Sequence, residues 1–266
     1  MKLRTILFAS ALVAATGASA LTTTNTFARM PVTATLQNTL LAIPLAGCGE
    51  SSPEIYVTNL VMTTGLAANT KLLYKDGSTW YAWTLTGGQW QKMAESTQWG
   101  THITPAAGST ALPCGRGCWL VFPEAASTTV YLYGQVNEGA VSTTIAAGTP
   151  ANPVYTILSY PYETGSINLS SWTPVDSSSA SIPVAGDTVT VADTTSSTGQ
   201  RTYTWGTYTS PTAGTGWYSL ETIAGAGLNP PTVTKTKVSE DVEIQAGQAF
   251  IYGRVDVGKS INWARP

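Results

Sequence analysis

Two stretches far apart in this chain are built the same way. Residues 112–136, LPCGRGCWLVFPEAASTTVYLYGQV, pass a Gly115-Arg116-Gly117 turn and enter the apolar run Cys118-Trp119-Leu120-Val121-Phe122. They break at Pro123 and return through residues 129–133. Residues 244–263 do much the same, with Ile244-Gln245-Ala246-Gly247-Gln248-Ala249-Phe250-Ile251-Tyr252, a Gly-containing break, and Ser260-Ile261-Asn262-Trp263. Apolar runs this short, bounded by Gly and Pro, read as strands, because a helix needs about 10–12 residues. A closing hairpin that occurs twice predicts one supersecondary unit used twice.

The rest of the chain can be laid out on that expectation. Strands are expected at 32–36, 40–45, 71–75, 79–85, 89–93, 118–122 and 129–133. Asp76-Gly77 and Gly87-Gly88 provide the two hairpin turns of the middle. The second half offers counterparts at 142–146, 154–162, 185–191, 201–205, 217–220, 242–252 and 261–263. In this alignment 142–146 stands for 32–36, Pro161 faces Pro44, and Phe250 takes the place of Cys118. Short strands with Gly-rich turns argue against βαβ units. A propeller is the rival, but two units of this length are too few and too long for blades of about 45 residues. The expectation is an all-β chain of two tandem homologous β-sandwich or barrel-like modules, 21–137 and 138–266. Little or no helix is expected after the signal peptide, apart from a single helical turn at 58–64.

The first residues, Met1-Lys2-Leu3-Arg4, an apolar run to Ala15, and Thr16-Gly17-Ala18-Ser19-Ala20, have the three-part form of a secretory signal peptide. The domain expectation is therefore a signal at 1–20, cleaved after Ala20, and a secreted or extracytoplasmic mature chain. Later apolar runs fall short of about 18 residues, so no transmembrane anchor is expected in the mature chain. Charged residues are 11% of the sequence and the formal net charge is −2. With no basic stripe, the chain lacks the electrostatic footprint of phosphate recognition, and no nucleic-acid partner is expected. Nine Trp and twelve Tyr supply enough apolar area to separate it from a disordered polar tract.

Reactive side chains are few. A Ser-His-acid triad would have to use His102, the one histidine, and no Gly-x-Ser-x-Gly elbow is present. Carboxylates such as Asp76, Asp187 and Asp193 fall at turns, where turn chemistry accounts for them. No catalytic residue is therefore assigned, and a carboxylate-dependent hydrolase is kept only as a remote alternative. Three cysteines in an exported chain predict one disulfide and one thiol. Cys118 aligns with Phe250 and is expected in the core. That leaves Cys48 and Cys114 as the disulfide candidates, with Cys114–Cys118 or no bridge as alternatives. A Cys₃His zinc site is disfavoured by the oxidising compartment and by the lack of counterparts in the second half. No metal and no cofactor are expected.

The aromatic residues are the remaining candidates. Alternation on the 79–85 strand puts Trp80, Ala82 and Thr84 on one face and Tyr81, Trp83 and Leu85 on the other. One face must be core, and the other suits sugar rings, a module contact or a subunit contact. The candidate ligand-binding residues are Trp80, Trp83, Trp90 and Trp119.

The recurring string resembles the duplicated secreted β modules of bacterial envelope proteins, marked by an N-L-x-x-x-P … Y-D … G-x-G-[FY]-W pattern. It is matched here at 40–45, 74–83 and 115–120, and again at 157–162, 188–205 and 247–252. The chain departs from the pattern at Cys118, where an aromatic is usual, and at Ala249, where a second Gly is usual. The resemblance implies export and all-β structure, and no activity. The function expected is a secreted, non-enzymatic structural or adhesive protein of the bacterial surface or extracellular matrix. Self-association or an envelope partner is expected to retain it. Carbohydrate recognition by exposed Trp and Tyr is the alternative, with a glycan as partner.

Overall fold

The computed structural model describes residues 27–34, 38–45, 54–56, 65–77, 79–93, 111–124, 128–136, 139–193, 199–223, 232–238 and 242–263. Among these residues the chain is all β, in several antiparallel sheets. The expected helical turn at 58–64, Trp99, His102 and Cys48 lie outside the described residues.

The first half contributes β1 (Phe27–Ala34), β2 (Asn38–Ala42), β3 (Glu54–Tyr56), β4 (Lys71–Asp76), β5 (Thr79–Thr86), β6 (Gln89–Lys92), β7 (Ala111–Pro113), β8 (Gly117–Val121) and β9 (Thr128–Gln135). A five-stranded sheet runs β2-β8-β4-β5-β6, with two-stranded ladders β1-β9 and β3-β7 beside it. The second half contributes β10 (Val141–Ile145), β11 (Val154–Ser159), β12 (Ser166–Asn168), β13 (Thr188–Ala192), β14 (Gln200–Tyr208), β15 (Gly214–Ile223), β16 (Thr232–Lys237), β17 (Glu243–Gln245), β18 (Ala249–Arg254) and β19 (Lys259–Trp263). Its main sheet runs β11-β18-β13-β14-β15-β16, with ladders β10-β19 and β12-β17. Strand by strand, the pairing order of the first half recurs in the second, which adds β16 at one edge.

Each half has its own core. In the first, Met30, Val32, Val130 and Leu132 of the β1-β9 ladder face Leu41, Leu72, Trp83 and Leu120 of the main sheet. In the second, Ile145 and Ile261 of the β10-β19 ladder join Leu158, Val189, Trp217 and Phe250. Period-two alternation produces this layering, since every second residue of a ladder points to the facing sheet. Along β9 the burial runs intermediate or exposed, then buried, in strict turn from Thr129 to Val136.

The register fixes which residues occupy the same place. Leu41 pairs with Cys118 and Leu158 with Phe250, so Cys118 and Phe250 are counterparts as expected. Leu85 pairs with Trp90 and Trp205 with Trp217, which makes Trp90 and Trp217 counterparts. One expectation slips. Thr143, not Ser142, occupies the place of Val32, for Thr143 is buried and meets Gly115 just as Val32 meets Gly247. A shift of one residue exchanges the inner and outer faces of a strand, so the exposed Ser142 cannot fill that position. The first hairpin slips likewise: Asp76 pairs with Thr79, so Asp76 belongs to the strand and not to the turn. The 242–252 run is two strands, split by the turn at Gly247.

The halves meet along a reciprocal seam. Leu41 bridges Gln248, and Arg116 bridges Leu158. Ala42 N donates to Gly247 O at 3.1 Å, and Ser159 N donates to Gly115 O at 2.9 Å. Each bond in a pair joins positions that are counterparts of the other. Gly115 and Gly247 sit at φ of +80° and +88°, where a side chain is strained. A Cβ on Gly247 would stand 2.7 Å from Val32 Cγ2, and one on Gly115 would strike Thr143 Oγ1. The turn of each half therefore docks into the first ladder of the other. Leu40, Ile157 and Ala249 close the seam, with Trp80, Trp119 and Ile251 packed against them.

Candidate functional site

The four Trp candidates divide by strand parity. Trp83 and Trp90 are 3% and 8% exposed and belong to the first core. Their rings are covered by aliphatic neighbours, so they offer no wet face for a ligand. Trp80 and Trp119 lie on the opposite face, stacked with centroids 5.5 Å apart and planes at 12°. Both are half-buried and pack against the seam as well as against Leu73 and Ala82. Lys75 Nζ sits 5.6 Å from the Trp80 centroid and reaches Tyr155 O at 3.4 Å. Burial, and secondarily the nearby Arg116 guanidinium, lower its pKa from the ordinary lysine value. This pair helps hold one half against the other and is not a free platform.

Cys48 lies outside the described residues, and the expected Cys48–Cys114 bridge lies outside them with it; Cys114 and Cys118 are both buried and are not bridged to each other. Cys114 Sγ donates to Pro161 O at 3.6 Å, across the seam, which directs it into the second half. Cys118 fills its core position with its thiol donating to Leu41 O at 3.7 Å. Burial pushes that thiol up to about 12, so it stays protonated and inert. No group of three or more His, Cys, Asp or Glu suited to a metal occurs among the described residues.

Among the described residues, a cleft that could admit a small molecule lies in the second half. It measures about 360 Å³ and opens between Tyr160 just after β11, β12 with the turn that follows it, and β19. Tyr160, Trp172 and Trp263 form its aromatic side, and Asn168, Thr173 and Asn262 are among its polar lining. The volume falls within the range of about 300–1,000 Å³ usual for ligand sites.

Local chemistry holds this wall in place. Trp172 lies nearly parallel to Trp217 (6.0 Å, 14°) and to Trp263 (5.9 Å, 11°), and meets Phe250 edge-on at 5.5 Å. Aromatic pairs of this kind contribute about 0.5–1.5 kcal/mol each beyond their buried area. The indole N–H groups are satisfied: Trp217 Nε1 donates to Trp172 O at 2.9 Å, and Trp263 Nε1 to Thr143 Oγ1 at 3.0 Å. Asn168 Oδ1 accepts from Ser170 N at 3.0 Å and from Ser170 Oγ at 2.7 Å, fixing the turn that carries Trp172. Beneath the same half lies a buried ion pair. Arg254 Nη1 contacts Asp187 Oδ2 at 2.5 Å, with side-chain exposures of 1% and 0%. Asp187 also accepts from Tyr252 OH, Val255 N and Val184 N, and Arg254 donates to Ile182 O and Val257 O. Burial, then the Asp187 charge, raises the Tyr252 phenol well above its ordinary value. The counterparts in the first half are Thr70 and Phe122, which do without charge; both are buried.

The cleft was not legible in the sequence, since its walls come from residues about a hundred positions apart. Among the described residues no helix is long and apolar enough to cross a membrane, which says nothing of crossing by strands. No family model matches the sequence, and neither a curated protein nor a solved structure matches it.

Proposed function

We propose that this chain is an exported, non-enzymatic structural or adhesive protein of the cell exterior, assembled from two copies of one β module. The observation that carries this reading is the reciprocal seam. Paired backbone hydrogen bonds and an apolar strip make the two halves a single stiff body rather than domains on a tether. A stiff, weakly charged body suits bearing load or presenting a surface, and the signal-like residues 1–20 supply a route out of the cytoplasm. Retention would rest on self-association or on an envelope partner.

The test is deletion and complementation in the source cell with a tagged chain. The tagged chain should fractionate outside the cytoplasm, begin at Leu21, and restore whatever cohesion or attachment the deletion removes. A chain held in the cytoplasm, or a deletion rescued only through turnover of a small molecule, would overturn the proposal.

A second reading, carbohydrate recognition, is favoured by one observation, the cleft of the second half, whose described lining carries aromatic, amide and hydroxyl groups and no charged side chain. In that case adhesion would be to a glycan rather than to another protein.

A further inference from the structure

We infer that Arg116 and Lys75 form a site at the seam for one oxyanion, the group shared by carboxylates, sulfates and phosphates.

A shortage of negative charge and of acceptors points there. Arg116 is carried by the turn before β8, and its side chain, 11% exposed, lies along the end of β4. Among the described residues its side chain makes one hydrogen bond, from Nη2 to Lys75 O at 2.8 Å. Its Nε is sealed from water and has no acceptor there. The carboxylate at hand, Asp76, stands 3.9 Å from Nη2, beyond hydrogen-bond reach, and is 63% exposed. Lys75 brings a second positive charge to the same place. Its Nζ meets Tyr155 O at 3.4 Å and the Trp80 ring at 5.6 Å, neither of which carries a formal charge. Burial and then the Arg116 charge lower its pKa. One positive charge is thus left uncompensated where water is scarce, a costly arrangement that an anion would relieve. An oxyanion suits the place better than chloride, since its separate oxygens can meet the guanidinium and the ammonium at once.

The second half shows that the repeated fold does not require these cations. Register makes Gln248 the counterpart of Arg116, Ala192 that of Lys75 and Asp193 that of Asp76. Asp193 is matched closely, with Arg201 Nε 2.8 Å from its Oδ2, and neither position 192 nor position 248 carries a charge. The module folds without a cation at either position, and the site occurs in the first half alone.

The experiment is melting and calorimetric titration of the full mature chain with phosphate, sulfate or acetate, against chloride at equal ionic strength and constant pH. We expect one anion per chain with a Kd of about 1 mM. At about tenfold excess over that Kd, melting should rise by about 3–5 °C. Arg116→Gln and Lys75→Ala, which install the residues of the second half, should each weaken binding at least tenfold. Asp76→Asn, which removes the competing carboxylate, should tighten it severalfold. Lys235→Gln, at an exposed position on β16, should leave it unchanged. Binding of acetate would support the site and indicate a carboxylate ligand, and binding of the tetrahedral anions alone would support it and indicate a phosphate or sulfate ester. A rise in melting that is the same in both cation variants, or that never saturates, would show an adventitious ion only and overturn the inference. Weaker binding in Asp76→Asn would overturn it as well, since the three side chains would then serve the fold alone.

Discussion

Replacing Asp187 and Arg254 by Thr and Phe, the residues in the matching places of the first half, tests how the second half pays for its buried charge. Asp187→Thr leaves a guanidinium that is 1% exposed with only the half-exposed Asp256 carboxylate, at 3.4 Å, and Arg254→Phe leaves a carboxylate that is 0% exposed without its cation. Breaking a buried pair from one side costs about 3–5 kcal/mol, so additive singles would sum to roughly 6–10. The double variant strands no buried charge, since Asp256, which loses Arg254 Nη2 at 3.4 Å, is 47% exposed. What it loses are the hydrogen bonds to Ile182 O and Val257 O and those from Val184 N, Val255 N and Tyr252 OH. Several of these groups are near enough to the surface for water to replace the lost partner. The double should therefore cost no more than either single, a coupling of about 3 kcal/mol or more. Urea unfolding of the whole chain, followed by indole fluorescence, gives the three differences from midpoint and slope. A double variant equal to the sum of the singles within about 0.5 kcal/mol would refute the argument.

Other outcomes follow from the thiols and from one surface turn. At pH 8 about one Cys118 in 10⁴ is a thiolate, with its pKa pushed up to about 12, so Cys114 and Cys118 should resist thiol reagents until the chain unfolds. Labelling of Cys118 faster than unfolding would contradict this, and a Cys114 that stays unlabelled in non-reducing denaturant would show that it is bridged. The Asp176 carboxyl lies below its ordinary value of 3.8, held there chiefly by the Ser178 hydroxyl, then by the Ala180 and Ser178 amides, with help from Lys259. Its folded pKa is depressed, so its contribution is full well above 3.8 and fades as pH falls through 3.8 toward the lower folded value. Asp176→Asn should thus flatten the acid limb of the stability curve, and an unchanged limb would count against the turn geometry. Gly247→Val, at φ +88° and against Val32, should cost about 2–4 kcal/mol, measured by the shift in melting. A melting temperature equal to wild type would mean that the seam does not need that approach.

The strands were legible because alternation and Gly/Pro punctuation are local signals. Cys118 could be matched to Phe250, and Trp119 set on the opposite face, from sequence spacing alone. Short strands such as β3, β7 and β12 were not legible, because three residues carry no period. The slip between Ser142 and Thr143 has the same origin. In a Ser-Thr-Thr run both faces look alike, and only the approach of Gly115 picks the inward residue. Among the aromatics, composition announced the surplus, but Trp83 and Trp80 differ in fate through parity and through what the other half brings to the seam. The cleft depends on bringing Tyr160 and the turn around Trp172 to Trp263 of β19, which no local pattern encodes.

The reciprocal seam also bears on when this chain can finish folding. Ala42 needs the carbonyl of Gly247, and Val32 needs the turn that Gly247 forms, so strands of the first half wait for residues made much later. Contacts of such long sequence separation form slowly, because loop closure must come before the gain. During synthesis the first half would present Leu40 and Trp119 uncovered, with β2 lacking its neighbour. A chain in that condition is still open, and it locks only once Gly247 and its neighbours have been made and have docked.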